Sequence, residues 1–440
     1  MAKKLSSALG IDIGSQKIKV CEIRSRGKDP EITALGIIDT PEGAVDHTGV
    51  YNSDAVGSAL KQVLSQSGAS ASQAVITVAG QASVLVRTLE VPKMNSTELT
   101  EHMQWEINRN IPFAESTIVS DFRPLGGDDP NSPNMEVVMA IAPQSAIDTI
   151  IACVKKAGRS TSAIDVEPLS MARSINKSYG DVLGDKTVCM VDIGHKSTSI
   201  NIYHGDRLLM PRQVPVGGEL FTKAISDAFA IPVQDAEAMK LEHCQIPDWA
   251  GTQTGGGMDP FGGGGVTAGF QAYNPFSDDV LPFASPAAAD SFESDVANPF
   301  AAPNPFDDPS NEPIVEADPI PAPFAEPASP SLAETDNSQA AQIYHAIAPI
   351  LDEFVSEIRR SIDYYRSRGG DIEAVELCGG GAKLGGLSEY LSKALGMHCE
   401  SYDPLRRLNL NVRKVAPAYV EEHKQEFAVA VGNGLHIFFD

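Results

Sequence analysis

The chain has 440 residues, enough for two or more domains with their own cores, and a formal net charge of −24. That balance excludes a nucleic-acid-binding surface, which needs clustered Lys and Arg to neutralise phosphate. No apolar run approaches the roughly 20 residues of a membrane-spanning helix, and the start, "MAKKLSSALG", lacks the apolar core of a signal peptide.

The hydrophobic pattern predicts strands over residues 8–14, 18–24 and 31–38. A helix over 54–67 follows, with Val56, Leu60, Val63 and Leu64 on one face, and then a strand over 74–79. A separate α+β unit is expected over 84–158. It opens with the strand "SVLVRTLEV". Asn95 and Glu98 are placed as a capping box for a helix over 96–110 carrying Leu99, Met103 and Ile107. Strands near 117–125 and 135–142 flank the polar loop "GGDDPNSPN", and a helix with Ile147, Ile151 and Val154 closes the unit. Trp105 and Phe113 read as core packing of this unit.

Strands over 187–193, 198–204 and 207–214 come next, then a helix over 218–229 burying Phe221, Ala224, Ile225 and Ala228. Long helices are expected from 339 to 367 with a kink at Pro349, then a strand over 374–378 and a helix over 385–395. The order βββαβ occurs twice, an internal duplication. Six cysteines, Cys21, Cys153, Cys189, Cys244, Cys378 and Cys399, form no CxxC pair. They read as free thiols in a reducing, cytoplasmic setting, without a zinc site.

Residues 246–335 differ from the rest. They hold no Lys or Arg, 14 Asp and Glu, and 15 of the 30 prolines. Such a stretch cannot bury enough apolar area to offset chain ordering, so disorder is expected. Setting it aside leaves a net charge of about −10. Within it "NPF" recurs at 274–276, 298–300 and 304–306, beside "DPF", "LPF" and "APF". Repeated Pro-Phe on a tether suits multivalent docking of a partner; low-complexity drift explains it equally well.

Two stretches carry the chemistry. In "ALGIDIGSQKIKVCEI" (8–23), two strand-like runs are joined by Asp12, Gly14 and small polar residues, with Lys17 and Lys19 close by. In "VCMVDIGHKSTSINIY" (188–203) the shape repeats, Asp192 and Gly194 lying 180 positions after Asp12 and Gly14. A turn of Gly and small residues presents backbone N–H groups in an anion cradle. An Asp at the strand end can hold Mg²⁺ through water. One copy alone is read more simply as an ordinary hairpin. Two facing copies read as a clamp on a polyphosphate, with Asp12 and Asp192 flanking the metal. A third glycine turn, "CGGGAKLGGL" (378–387), follows a strand and opens a helix. No GxxxxGK[ST] loop occurs.

These motifs resemble the actin/Hsp70/sugar-kinase superfamily, and specifically the PilM-type type IV pilus assembly family, related to FtsA. "GIDIGSQKIK" resembles the first phosphate motif, "VDIGHKSTS" the second, and "LCGGGAKLGGL" the adenosine motif. "VPVGGELFTKAI" and "EEHKQEFAVAVGNGL" resemble the two connecting helices, and "HMQWEINRNIPF" is a PilM-like mark. The resemblance implies an actin-like fold: two lobes built on a duplicated, ribonuclease H-like βββαβα unit, with an inserted SHS2-like subdomain called 1C. The implied boundaries are 1–83 for the first part of subdomain 1A, 84–158 for 1C, 159–186 for the return of 1A, and 187–245 for the first part of the second lobe. Residues 336–440 would complete the second lobe and add the C-terminal connecting helix.

The resemblance also implies roles. Asp12 and Asp192 would hold Mg²⁺ and its waters, and Glu167 would act near the metal and the attacking water. Glu167 also reads as a plain helix-start acid before Pro168. Gly14, Ser15, Gln16, Lys17 and Lys19 would bind phosphate from the first loop. Gly194, His195, Lys196, Ser197 and Thr198 would do so from the second, supported by Gly217 and Gly218. Glu237 and Lys240 would line adenine and ribose, with Gly379, Gly380, Gly381 and Lys383 under the adenosine. His195 and Lys196 stand where second loops of the superfamily carry small residues. The implied activity is therefore ATP binding with at most slow hydrolysis. The implied role is a cytoplasmic scaffold of the type IV pilus or a related type II secretion platform. A PilN-like inner-membrane protein would dock its tail between 1A and 1C. The chain ends at "IFFD", without the amphipathic tail of FtsA-like proteins, so attachment to the membrane is expected through a partner. The alternatives are an FtsA-like, self-associating division protein and a sugar or small-molecule kinase.

Overall fold

This computed structural model describes residues 5–439 apart from residues 28, 81, 115–116, 127–130, 249 and 251–337. In chain order the elements begin with strands β1 (Ser7–Ile13), β2 (Lys17–Arg26) and β3 (Asp29–Asp39), helix α1 (Ser53–Ser67) and strand β4 (Gln73–Val78). Then come β5 (Leu85–Pro92), α2 (Ser96–Arg109), β6 (Ile118–Pro124), β7 (Asn134–Pro143), α3 (Gln144–Lys156), β8 (Ser160–Val166) and α4 (Glu167–Tyr179). The next stretch is β9 (Thr187–Ile193), β10 (Thr198–His204), β11 (Arg207–Met210), β12 (Gln213–Val214), α5 (Gly218–Phe229) and α6 (Val233–His243). The chain closes with α7 (Gln339–Ser367), β13 (Ala374–Cys378), α8 (Leu387–Leu395), β14 (Cys399–Ser401), β15 (Asn409–Leu410), α9 (Pro417–His423) and α10 (Ala428–Gly434).

Two larger sheets form the lobes. The first has the order β15-β3-β2-β1-β4-β8, the second β11-β10-β9-β13-β14 with β12 also on β10. In both, a leading strand pairs antiparallel with the next and parallel with a later one: β1 with β2 and β4, β9 with β10 and β13. This is the duplication the sequence implied. Helix α1 buries Val56, Leu60, Val63 and Leu64 as expected. Asn52 caps its start, and Gly68 at φ 75° ends it in a conformation that suits glycine.

The third sheet, β5-β7-β6, carries α2. Both hydrogen bonds of the capping box at Asn95 and Glu98 are present. Leu99, Met103 and Ile107 bury against Val137, Met139 and Ile141.

Several expectations are corrected. Trp105 is not core: it is 56% exposed, with the Arg109 guanidinium 5.4 Å above its ring. Helix α3 does not close the inserted unit. It buries Ile150, Cys153 and Val154 in the first-lobe core with Val56 and Leu60, while Ile151 is exposed. The single strand expected over 207–214 is divided into β11 and β12, because Pro211 between them has no N–H to pair. Ala228, expected to be buried on α5, is exposed. Besides the expected connecting helix, residues 336–440 also give a strand to the first lobe. Strand β15 pairs with β3, and Ala430, Val431 and Leu435 pack with Cys21, Ile23 and Leu35 of the first sheet. Gly10 permits that approach, since a Cβ there would meet the Ala430 carbonyl oxygen at 2.0 Å.

The expected insertion with its NPF repeats lies outside the described residues from 251 on. Its first residues are different: Ile246 and Ala250 are buried in the second-lobe core. The boundary expected at 246 is too early.

Candidate functional site

The two turns have one geometry. The Gly14 N–H donates to the Lys17 carbonyl at 3.0 Å, and the Gly194 N–H to the Ser197 carbonyl at 3.0 Å. A Cβ would meet that same carbonyl oxygen at 2.8 Å in the first turn and 2.7 Å in the second, so each turn requires its glycine. Thr40 fixes the first turn: its N–H donates to the Gln16 carbonyl at 2.8 Å and its hydroxyl to the Gly14 carbonyl at 2.7 Å. The start of α5 fixes the second, with the Gly218 and Glu219 N–H groups donating to the Gly194 and His195 carbonyls at 2.9 and 2.8 Å. The turns line one cleft of about 150 Å³ together with Asp12, Lys19, Glu167 and Asp192.

Asp12 at the end of β1 and Asp192 at the end of β9 line the cleft with Glu167, Glu426 and the Lys19 ammonium. Lys19 Nζ lies 2.9 Å from Asp12 Oδ2. Burial works against the Lys19 charge, but Asp12, Asp192 and Glu426 outweigh it and raise its pKa. Burial lifts Asp192 to about 6, with Lys19 pulling it back and Asp12 pushing it further. Glu167 is lifted to about 8, chiefly by burial and then by Asp192, against a hydrogen bond from Ser199 at 2.7 Å. Glu167 Oε1 is buried with no partner. An all-oxygen set with excess negative charge suits a hard divalent cation such as Mg²⁺. Among the described residues no group of three His, Cys, Asp or Glu side chains is arranged to hold a metal directly. A cation there would keep most of its waters.

Other expected residues sit elsewhere or work differently. Thr198 is fully buried and spends its hydroxyl on the Val216 carbonyl at 2.6 Å. Lys17 and Lys196 do line the cleft, and each also pairs at 3.6 Å, with Asp39 and Glu219. Burial lowers the His195 pKa and favours the neutral ring. Gly217 and Gly218 support the second turn and do not line the cleft. Of the third glycine group, Gly380 alone lines it. A Cβ at Gly379 would meet Asp192 Oδ1 at 2.3 Å, and one at Gly381 the Ile193 side chain at 2.2 Å, so these two let the loop lie on β9. Lys383 bonds Glu426 at 3.0 Å, joining that loop to the C-terminal segment. Glu237 and Lys240 pair at 2.7 Å beside the second turn.

The sequence reading missed Ser199, Gln213 and Glu426, which also line the cleft. Ser199 had a signal: it lies opposite Asp192 in the β9–β10 register as Lys19 lies opposite Asp12 in β1–β2. It also missed the continuation of the cleft along the first lobe, walled by Val45, Val50, Thr77, Ser83, Ala146 and Ile150.

Comparison with known proteins agrees with this architecture. The family model described as type IV pilus assembly protein PilM matches residues 10–250, and that of cell division protein FtsA matches residues 189–432. FtsA of Neisseria meningitidis serogroup B (strain ATCC BAA-335 / MC58) is 25% identical over 256 residues, 53% of this chain and 60% of that protein. FtsA of Bacillus subtilis (strain 168) is 22% identical over 257 residues, 53% of this chain and 57% of that protein. The chain therefore spans about 60% of the length of these curated relatives. A solved structure, the PilM-PilN type IV pilus biogenesis complex, superposes with a TM-score of 0.68 at 24% identity, covering 99% of both chains. The fold is the actin-like, two-lobed one that the sequence implied. With the PilM family model covering more than half of its length, this chain belongs to the family of type IV pilus assembly proteins PilM.

Proposed function

We propose that this chain binds ATP with Mg²⁺ between its lobes, hydrolyses it slowly at most, and acts as a scaffold of the pilus assembly platform. The carrying observation is the pair of matched glycine turns facing one cleft with Asp12, Asp192, Glu167 and Lys19 between them. The turn amides would take the phosphates, and Asp12 and Asp192 would hold the waters of the metal. Bound Mg²⁺ would neutralise phosphate charge.

The partner in this reading is the tail of a PilN-like membrane protein. The structural neighbour is a PilM-PilN complex. The cleft here runs on from the phosphate turns to Val45, Val50, Ala146 and Ile150, near the junction with the inserted sheet. One continuous cleft gives nucleotide and peptide a common set of walls, and lobe angle then tunes both. No described helix is long and apolar enough to cross a membrane, and attachment would come through that tail. The net charge of −24 favours a tail carrying Lys or Arg, so its affinity should fall with salt.

Calorimetry of the tail peptide with and without Mg·ATP tests the coupling. Binding whose affinity changes with nucleotide supports it, and the peptide must then change ATP affinity by the same factor. Equal affinity in both states removes the coupling, and no binding in either removes the partner.

A further inference from the structure

Gln16 belongs to the first phosphate turn, yet its side chain reaches across the cleft. Its Nε2 donates to Glu237 Oε1 on α6 of the second lobe at 3.3 Å. Both ends of this bond are anchored. The Gln16 carbonyl is held by the Thr40 N–H at 2.8 Å, and the Thr40 hydroxyl holds the neighbouring Gly14 carbonyl at 2.7 Å. On the other side Glu237 Oε2 accepts from Lys240 Nζ at 2.7 Å and from the Thr222 hydroxyl. Lys240 is itself buried and tied to the Gly218 carbonyl at 3.1 Å and to Thr222 at 2.8 Å. Two donors, Lys240 and Thr222, thus hold Glu237 Oε2 while Oε1 faces Gln16 of the first lobe.

We propose that the Gln16–Glu237 hydrogen bond is a strap between the lobes that closes the cleft over bound nucleotide and sets how fast nucleotide leaves. This rests on the nucleotide reading above. With both ends anchored in their own lobes, the bond length follows lobe angle. Protein N–H···O hydrogen bonds span about 2.7–3.2 Å between heavy atoms. At 3.3 Å the strap lies just beyond that range, so a small closure of the lobes tightens it and a small opening breaks it. A neutral amide suits this work. A lysine at position 16 would form an ion pair with a longer reach, and a glutamate would repel Glu237.

The test uses the full chain, a fluorescent ATP analogue with Mg²⁺, and the variants Gln16→Ala, Glu237→Gln and their double. Stopped-flow displacement gives the dissociation rate. Backbone hydrogen exchange of the nucleotide-free protein reports residues 14–17 and 233–243 without any contribution from phosphate. A long, part-buried hydrogen bond carries a modest net contribution, so Gln16→Ala should raise the dissociation rate by about two- to tenfold. It should also speed exchange on both sides of the cleft in the nucleotide-free protein. The double variant should dissociate little faster than the faster single variant.

Faster dissociation with unchanged nucleotide-free exchange would make Gln16 a phosphate contact and overturn the strap, as would wild-type values for both. If the wild-type chain binds no nucleotide, the nucleotide reading falls with the release role. The exchange comparison still decides whether the interlobe bond exists.

Discussion

Ser199 of the second lobe donates its hydroxyl to Glu167 Oε2 of the first at 2.7 Å, beside the buried and unpartnered Oε1 of the same carboxyl. This bond favours the charged form of a group that burial and Asp192 otherwise lift to about 8. Ser199→Ala removes that support, so the Glu167 pKa rises further. A metal site needs its carboxylates deprotonated, so the affinity for Mg·ATP should climb with pH through the range 6–9. In Ser199→Ala that climb should move to higher pH. Calorimetry at several pH values checks it, and superimposed curves would remove Ser199 from the site.

Glu376 on β13 gives a stability prediction. It is fully buried, and burial, followed by nearby Glu400, raises its pKa from 4.5 to about 8. The folded chain therefore holds this proton more tightly than the unfolded chain. Stability is lost as pH rises from about 4.5 to about 8. Glu376→Gln keeps the shape and removes the charge. It should flatten this part of the slope and stabilise the protein at pH 8 relative to the wild type. Urea denaturation at pH 5, 6.5 and 8 measures the difference. A variant that is less stable at pH 8 would contradict the assignment.

The exposed Trp105 predicts a contrast on one helix. Trp105→Ala should change stability by no more than about 0.5 kcal/mol. Met103→Ala, two residues away and fully buried, should cost about 2–5 kcal/mol. Comparable losses in urea denaturation would return Trp105 to the core.

That contrast also shows what the sequence could carry. Met103 and Ile107 are four residues apart and share a face. Trp105, two residues on from Met103, lies about 200° around the helix, so the spacing placed it outside even though its size suggested the core. The two glycine turns were legible because each is a local device, one glycine and one carbonyl three residues on, written twice. The capping box at Asn95 and Glu98 was legible for the same reason. The pairing of β15 with β3 and the Lys383–Glu426 bond join residues far apart in the chain, and no local pattern encodes them. The roles expected of Gly379 and Gly381 shifted for a related reason: a glycine that admits a ligand and one that admits a neighbouring strand look alike in sequence. Ser199 was legible by register alone, since its residue type differs from that of Lys19 at the matching position of the first copy.

Thermal unfolding of wild type against Asp12→Ala decides whether Mg·ATP binds in the interlobe cleft. A ligand at about 100 times its dissociation constant stabilises a fold by about 2.7 kcal/mol. The wild type should show a clear rise in Tm with ATP and Mg²⁺ together and a smaller one with ATP alone. Asp12→Ala should lose most of the rise, because the metal loses its water-mediated anchor and Lys19 loses its partner at 2.9 Å. No shift in the wild type, or an equal shift in Asp12→Ala, would contradict the account.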